Sequence, residues 1–76
     1  MNIYQLVDGI EHTSDDIFEY HDHGEKNDFA AWILDVLGDE ELFSLVRHEG
    51  SKYWFVQKAR RHIKMMEEQA TQRILE

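Results

Sequence analysis

A chain of 76 residues is one domain at the small end, able to bury only ~60% of the surface its unfolded form exposes, so its core must come from a few large side chains. Nine aromatic residues can supply that area. The absence of cysteine excludes a disulfide framework and a thiolate zinc site. No run of ~18 apolar residues marks a membrane span, and the start of the chain lacks the basic flank and apolar segment of a signal peptide; a cytoplasmic protein, with no membrane and no cofactor, is the expectation. The formal net charge of −8 is unevenly spread. Residues 1–46 carry twelve carboxylates against Lys26 alone, a formal −11, residues 47–64 carry +5, and the last twelve carry −2. Such runs are solvated faces first, and a field that steers a charged partner second.

In chain order, Ile3, Leu6, Val7 and Ile10 have helical spacing and predict a short amphipathic helix over 2–11, despite the cost of Gly9. Thr13 and Ser14 break it, and with Asp15 and Asp16 behind them they signal a second helix over 15–22 that buries Ile17, Phe18 and Tyr20. A strand is the competing reading there, since Phe18 and Tyr20 alternate with Glu19. No second strand is evident to pair with it, and an isolated strand leaves its backbone groups unpaired. Residues 22–26, DHGEK, form a loop around Gly24.

The most legible stretch is 27–46. Phe29, Trp32, Ile33, Val36 and Leu37 predict the core-facing stripe of a helix over 28–37, with Asn27 or Asp28 as its N-cap and Gly38 as its left-handed stop. Asp39 caps the next helix, 39–48, whose first turn holds Glu40 and Glu41, where the helix dipole favours negative charge. Leu42, Phe43, Leu45 and Val46 form its stripe. On this pattern Trp32 and Phe29 sit at the centre of the core. His48-Glu49-Gly50 is the next break, and Ser51 caps a helix over 52–74, roughly 34 Å long at 1.5 Å per residue. Val56, Ala59, Ile63, Met66, Ala70 and Ile74 run along it as a seam, with Tyr53, Trp54 and Phe55 at its start. The fold class is therefore all-α: one domain over 1–76, a small bundle of four short helices plus one long C-terminal helix, with 65–76 projecting or forming an interface.

The run N-D-F-A-A-W-I-L-D-V-L-G-D-E-E-L, preceded by Tyr20-His21, resembles a family of uncharacterised prokaryotic domains built on an N-D-F-x-x-W-I-x-x-V-L-G-D-E-E-L-A core. The similarity covers about residues 3–46, and Phe43 stands where the family pattern has alanine. It implies a helical fold and a prokaryotic or phage origin, and it carries over no catalytic residue.

Chemistry is sparse. His21 and His23, with His12, Glu19 and Glu25 nearby, are the nearest approach to a metal constellation. Residues two apart on a helix point to different faces, however, and a defined site needs three or four converging ligands; solvated histidines explain them better. Protonating all five histidines would move the formal charge from −8 to −3 and ease self-association below pH 7. Ser14, Ser44 and Ser51 read as cap or helix residues rather than nucleophiles. The four glycines punctuate helices and form no phosphate loop.

A non-enzymatic interaction module is thus expected, acting on a protein partner through the C-terminal helix with Trp54, Ile63, Met66, Ala70 and Ile74 as interface residues. The simplest partner is a second copy in antiparallel contact, Lys58 to Lys64 of one chain lying near Glu67, Glu68 and Glu76 of the other. The alternative is an acidic inhibitor or nucleic-acid mimic using Asp15, Asp16, Glu19, Asp22, Asp39, Glu40 and Glu41 to block a basic groove. Nucleic-acid binding through Lys58, Arg60, Arg61 and Lys64 ranks last, because the acidic remainder repels phosphate.

Overall fold

Local capping chemistry sets where each helix begins. Asn2 accepts from the Gln5 N–H while the Gln5 side chain accepts from the Asn2 N–H, a reciprocal capping box that starts α1 (Ile3–His12). Thr13 closes it, its hydroxyl donating to the Gly9 carbonyl. Ser14 Oγ accepts from the Ile17 N–H at the entry to α2 (Asp15–His21). The computed structural model describes residues 2–23 and 26–75, side chains at 20–23, 26, 27, 74 and 75 aside; Tyr20, His21, Asp22, His23, Gly24, Glu25, Ile74 and Glu76 therefore fall outside its side-chain detail.

After α2 the chain makes one feature that the periodicity does not announce. Two two-residue strands, β1 (Asp22–His23) and β2 (Lys26–Asn27), pair antiparallel, with Asp22 opposite Asn27 and His23 opposite Lys26. α3 (Asp28–Trp32) follows directly, and its Phe29 stacks on Phe18 of α2. The helix then widens into a π-helical turn over Ile33–Leu37. Gly38 ends it at φ 67°, its N–H bonded to the Leu34 carbonyl, and only glycine enters that left-handed well without a Cβ penalty. Asp39 Oδ1 accepts from the Leu42 N–H and starts α4 (Glu40–Val46). Ser51 Oγ accepts from the Trp54 N–H and opens α5 (Lys52–Leu75), 24 residues long. Five helices, four short and one long, fall close to the expected bounds.

A cluster of three phenylalanines joins three of those helices. Phe18 of α2 stacks on Phe29 of α3 at 5.3 Å, and both meet Phe55 of α5 edge-on at 5.5 and 6.4 Å; offset-stacked and edge-to-face pairs are the arrangements the ring quadrupole favours. Around them are buried Leu6, Val7 and Ile10 of α1, Ala30, Ile33, Leu42 and Val46, and Val56, Ala59 and Ile63 of α5. Every short helix leans on the first half of α5, and the molecule is drawn out to 45 × 21 × 20 Å along it.

Several expected core residues lie outside. Trp32 is 48% exposed and Val36 and Leu45 are comparably open. The buried side of α3 and its π-helical turn is centred on Ala30 and Ile33, with Phe29 and Leu37 partly covered. Ala30 and Trp32, two residues apart, point to nearly opposite sides of the helix, and the core lies on the Ala30 side. Ile17, expected in the core beside Phe18, is also exposed, while Phe18 is buried as expected. Truncating Trp32 therefore removes much less buried area than truncating Phe55, which is fully enclosed.

Candidate functional site

α5 presents three sides beyond its core stripe, and each has a different occupant. Toward α1, Lys52 Nζ donates to the Glu11 and Thr13 carbonyl oxygens at 3.2 and 2.9 Å and pairs with Asp15 at 3.3 Å. Arg60 pairs with Glu11, and Glu67 accepts from the Tyr4 hydroxyl, a bond that pushes the tyrosine pKa up from its ordinary value. Ile63 belongs to this side: it is buried in the cluster with α1 residues and takes no part in an exposed seam, which corrects its place among the interface residues.

Toward α4, Lys58 lies 2.8 Å from Glu49. Its hydrogen bond holds the Glu49 carboxyl below the ordinary carboxylate range against the opposing effect of burial, with a bond from the Ser51 N–H assisting. One turn on, His62 is 3% exposed, and its Nε2 donates to Asp39 Oδ2 at 3.0 Å. The carboxylate only accepts, which places the proton on Nε2. Asp39 thus caps α4 with one oxygen and fastens α5 with the other, while His62 Nδ1 is buried with no partner among the described residues. His62 has no role in the sequence reading; its helical phase with Phe55 and Ala59 is the signal that would have placed it inside. Beyond His62 an open cleft lies between Leu37–Gly38–Asp39 and the overhanging helix, lined on the latter by Met66, Gln69, Ala70 and Arg73. Met66 and Ala70 therefore sit together at this cleft, apart from Trp54.

The third side faces outward. Tyr53 and Trp54, 60% and 56% exposed, meet edge-on at 5.0 Å. Gln57, Arg61, Lys64, Met65 and Glu68 continue the same face, and the groove along it is relief between long side chains of one helix rather than an enclosed cavity. Arg61, Lys64 and Glu68 have no ion pair among the described residues, unlike Lys52, Lys58 and Arg60. From Lys64 through Arg73 every residue is exposed.

The acidic residues divide into two clusters. Asp15, Asp16 and Glu19 lie on α2 beside the start of α5, where Asp15 meets Lys52. Asp39, Glu40 and Glu41 lie at the start of α4, where Asp39 meets His62. Ten residues of α5 separate the two anchors, roughly 15 Å, so among the described residues these six carboxylates form two clusters. No group of three or more histidine and carboxylate side chains that could hold a metal ion occurs among the described residues, and no helix among them is long and apolar enough to cross a membrane. No family model, no curated protein and no solved structure matches this chain.

Proposed function

We propose that this protein is a non-enzymatic interaction module that engages a macromolecular partner through the outer face of α5. The observation that carries the reading is the exposed pair Tyr53 and Trp54 at the head of a face on which Arg61, Lys64, Met65 and Glu68 also stand open. Exposed aromatic, methionine and arginine side chains are the residue types enriched at binding surfaces. The face ends on a stretch of helix that the bundle does not cover. Nucleic acid is a poor fit to this surface, because Lys52, Lys58 and Arg60 are engaged within the chain and only Arg61 and Lys64 remain on it, against an overall charge of −8.

The alternative, an acidic inhibitor that mimics nucleic acid, is less well supported because its carboxylates form two separated clusters and Asp39 is already engaged. Paired baits separate the two readings. Wild-type protein, a Trp54→Ala/Met65→Glu variant and a Glu40→Gln/Glu41→Gln variant are each used to capture proteins from a prokaryotic lysate. Partners lost only with the first variant support the α5 reading. Partners lost only with the second transfer the function to the acidic cluster and overturn it.

A further inference from the structure

Resting on that reading of the outer face, we infer that its partner is a second copy of this chain, docked antiparallel about a two-fold axis that passes between Lys64 and Met65. Arg61 and Glu68 stand seven residues apart on one face, two helical turns, and neither has an ion-pair partner within its own chain among the described residues. A two-fold axis midway between them brings Arg61 of each copy against Glu68 of the other, so one register forms both pairs at once. A parallel pairing in register would set Arg61 against Arg61 and Glu68 against Glu68.

The same register covers the outer face that a single copy leaves open, while Met66 and Ala70 stay at the cleft toward α4. Each overhanging half, 64–73, lies along the outer side of the other copy's bundle-covered half, with Gln72 opposite Gln57 and the last turn reaching the exposed Trp54. Next to the axis Met65 lies beside Met65 of the other copy on one side of the contact and Lys64 beside Lys64 on the other, a like-charge approach that the two Arg61–Glu68 pairs offset. The two bundles do not collide, since α1 and α4 pack on the other sides of α5. From Trp54 to Gln72 the face is roughly 27 Å long at 1.5 Å per residue. Two helices packed ~8–10 Å apart over that length bury on the order of 1,000 Å², the lower end of specific interfaces, which fits a dimer of micromolar strength.

Sedimentation equilibrium from about 5 to about 200 µM, the range in which so small an interface is populated, tests the proposal with exposed positions whose exchange leaves the core intact. Wild-type protein is expected to approach twice the 9.1 kDa of one chain. Arg61→Glu and Glu68→Arg are each expected to weaken dimerisation about tenfold, and the double variant to recover most of it, because the pairs re-form with reversed sign. The chain has no cysteine, so an equal mixture of Arg61→Cys and Glu68→Cys chains should oxidise to a mixed disulfide while Arg61→Cys alone gives none. A wild-type monomer throughout, a double variant no better than the singles, or ready crosslinking of Arg61→Cys to itself overturns it. If the chain is monomeric while the Trp54→Ala/Met65→Glu bait still loses captured partners, the second copy is excluded and the contact-surface reading survives.

Discussion

Residues 52–63 and 64–73 belong to one unbroken helix, yet they do opposite things. In the first half Phe55, Val56, Ala59, His62 and Ile63 are buried, and Lys52, Lys58 and Arg60 are tied to neighbouring segments. In the second half every residue is exposed, and among the described residues the interactions reaching the bundle come chiefly from Glu67, which accepts from Tyr4. Helix propensity alone does not account for the second half, since an isolated stretch as short as 64–73 is marginal in water; the first half is held by packing and the second extends from it. The lesson is that a helix longer than its bundle carries free surface by construction, and here that surface continues the face on which Tyr53 and Trp54 are exposed.

The largest expected effect breaks the comparison at its buried end. Phe55→Ala removes the ring on which Phe18 and Phe29 converge and should cost about 3–5 kcal/mol in a urea melt, enough to unfold much of a domain this small. Met65→Ala, ten residues along the same helix, should stay within about 0.5 kcal/mol of wild type. Equal losses at the two positions would erase the division.

An intermediate effect is expected where the two halves meet. Asp39→Ala removes the α4 cap and leaves His62 with neither ring nitrogen partnered, a loss of about 1–3 kcal/mol. Asp39→Asn keeps one acceptor oxygen, enough for the cap, but turns an N–H donor toward His62 Nε2–H, so it should recover only the cap's share. A thermal melt of the alanine variant unchanged from wild type would show that the bridge from α5 to α4 contributes nothing.

The smallest effect is on pH. Because Lys58 holds Glu49 below its ordinary value of 4.5, the pair's contribution is present in full above that value and is lost as pH falls through the depressed pKa. Glu49→Gln should therefore flatten the acid side of the stability profile slightly and leave stability near pH 7 lowered by less than about 1 kcal/mol. A variant with an unchanged slope below pH 4.5 would contradict the pairing.

Helix boundaries were legible because they are written in local chemistry: Ser14, Gly38, Asp39 and Ser51 each perform the capping or stopping role their side chains suit. Facing was less legible. Periodicity identifies an apolar stripe but cannot tell that Ala30 rather than Trp32 meets the core, since that depends on how closely α3 approaches its neighbours. The two-residue hairpin and the π-helical turn leave no periodic signature at all. As for the site, Trp54 and Met66 are exposed, but among the described residues the expected interface positions do not share one face. Ile63 turns inward, Met66 and Ala70 turn toward α4, and Trp54 turns away from both. At about 100° per residue Trp54 stands roughly half a turn round the helix from Ile63, so ordinary helix geometry parts them.

Amide hydrogen exchange along α5, measured at high dilution and again at high concentration, tests the division of the helix most directly. The expected result is strong protection of residues 55–63 at both concentrations, with residues 66–73 exchanging far faster when dilute and slowing as concentration rises. Protection of 66–73 equal to that of 55–63 in the dilute sample would contradict it, because the second half would then be part of the core rather than a surface extending from it.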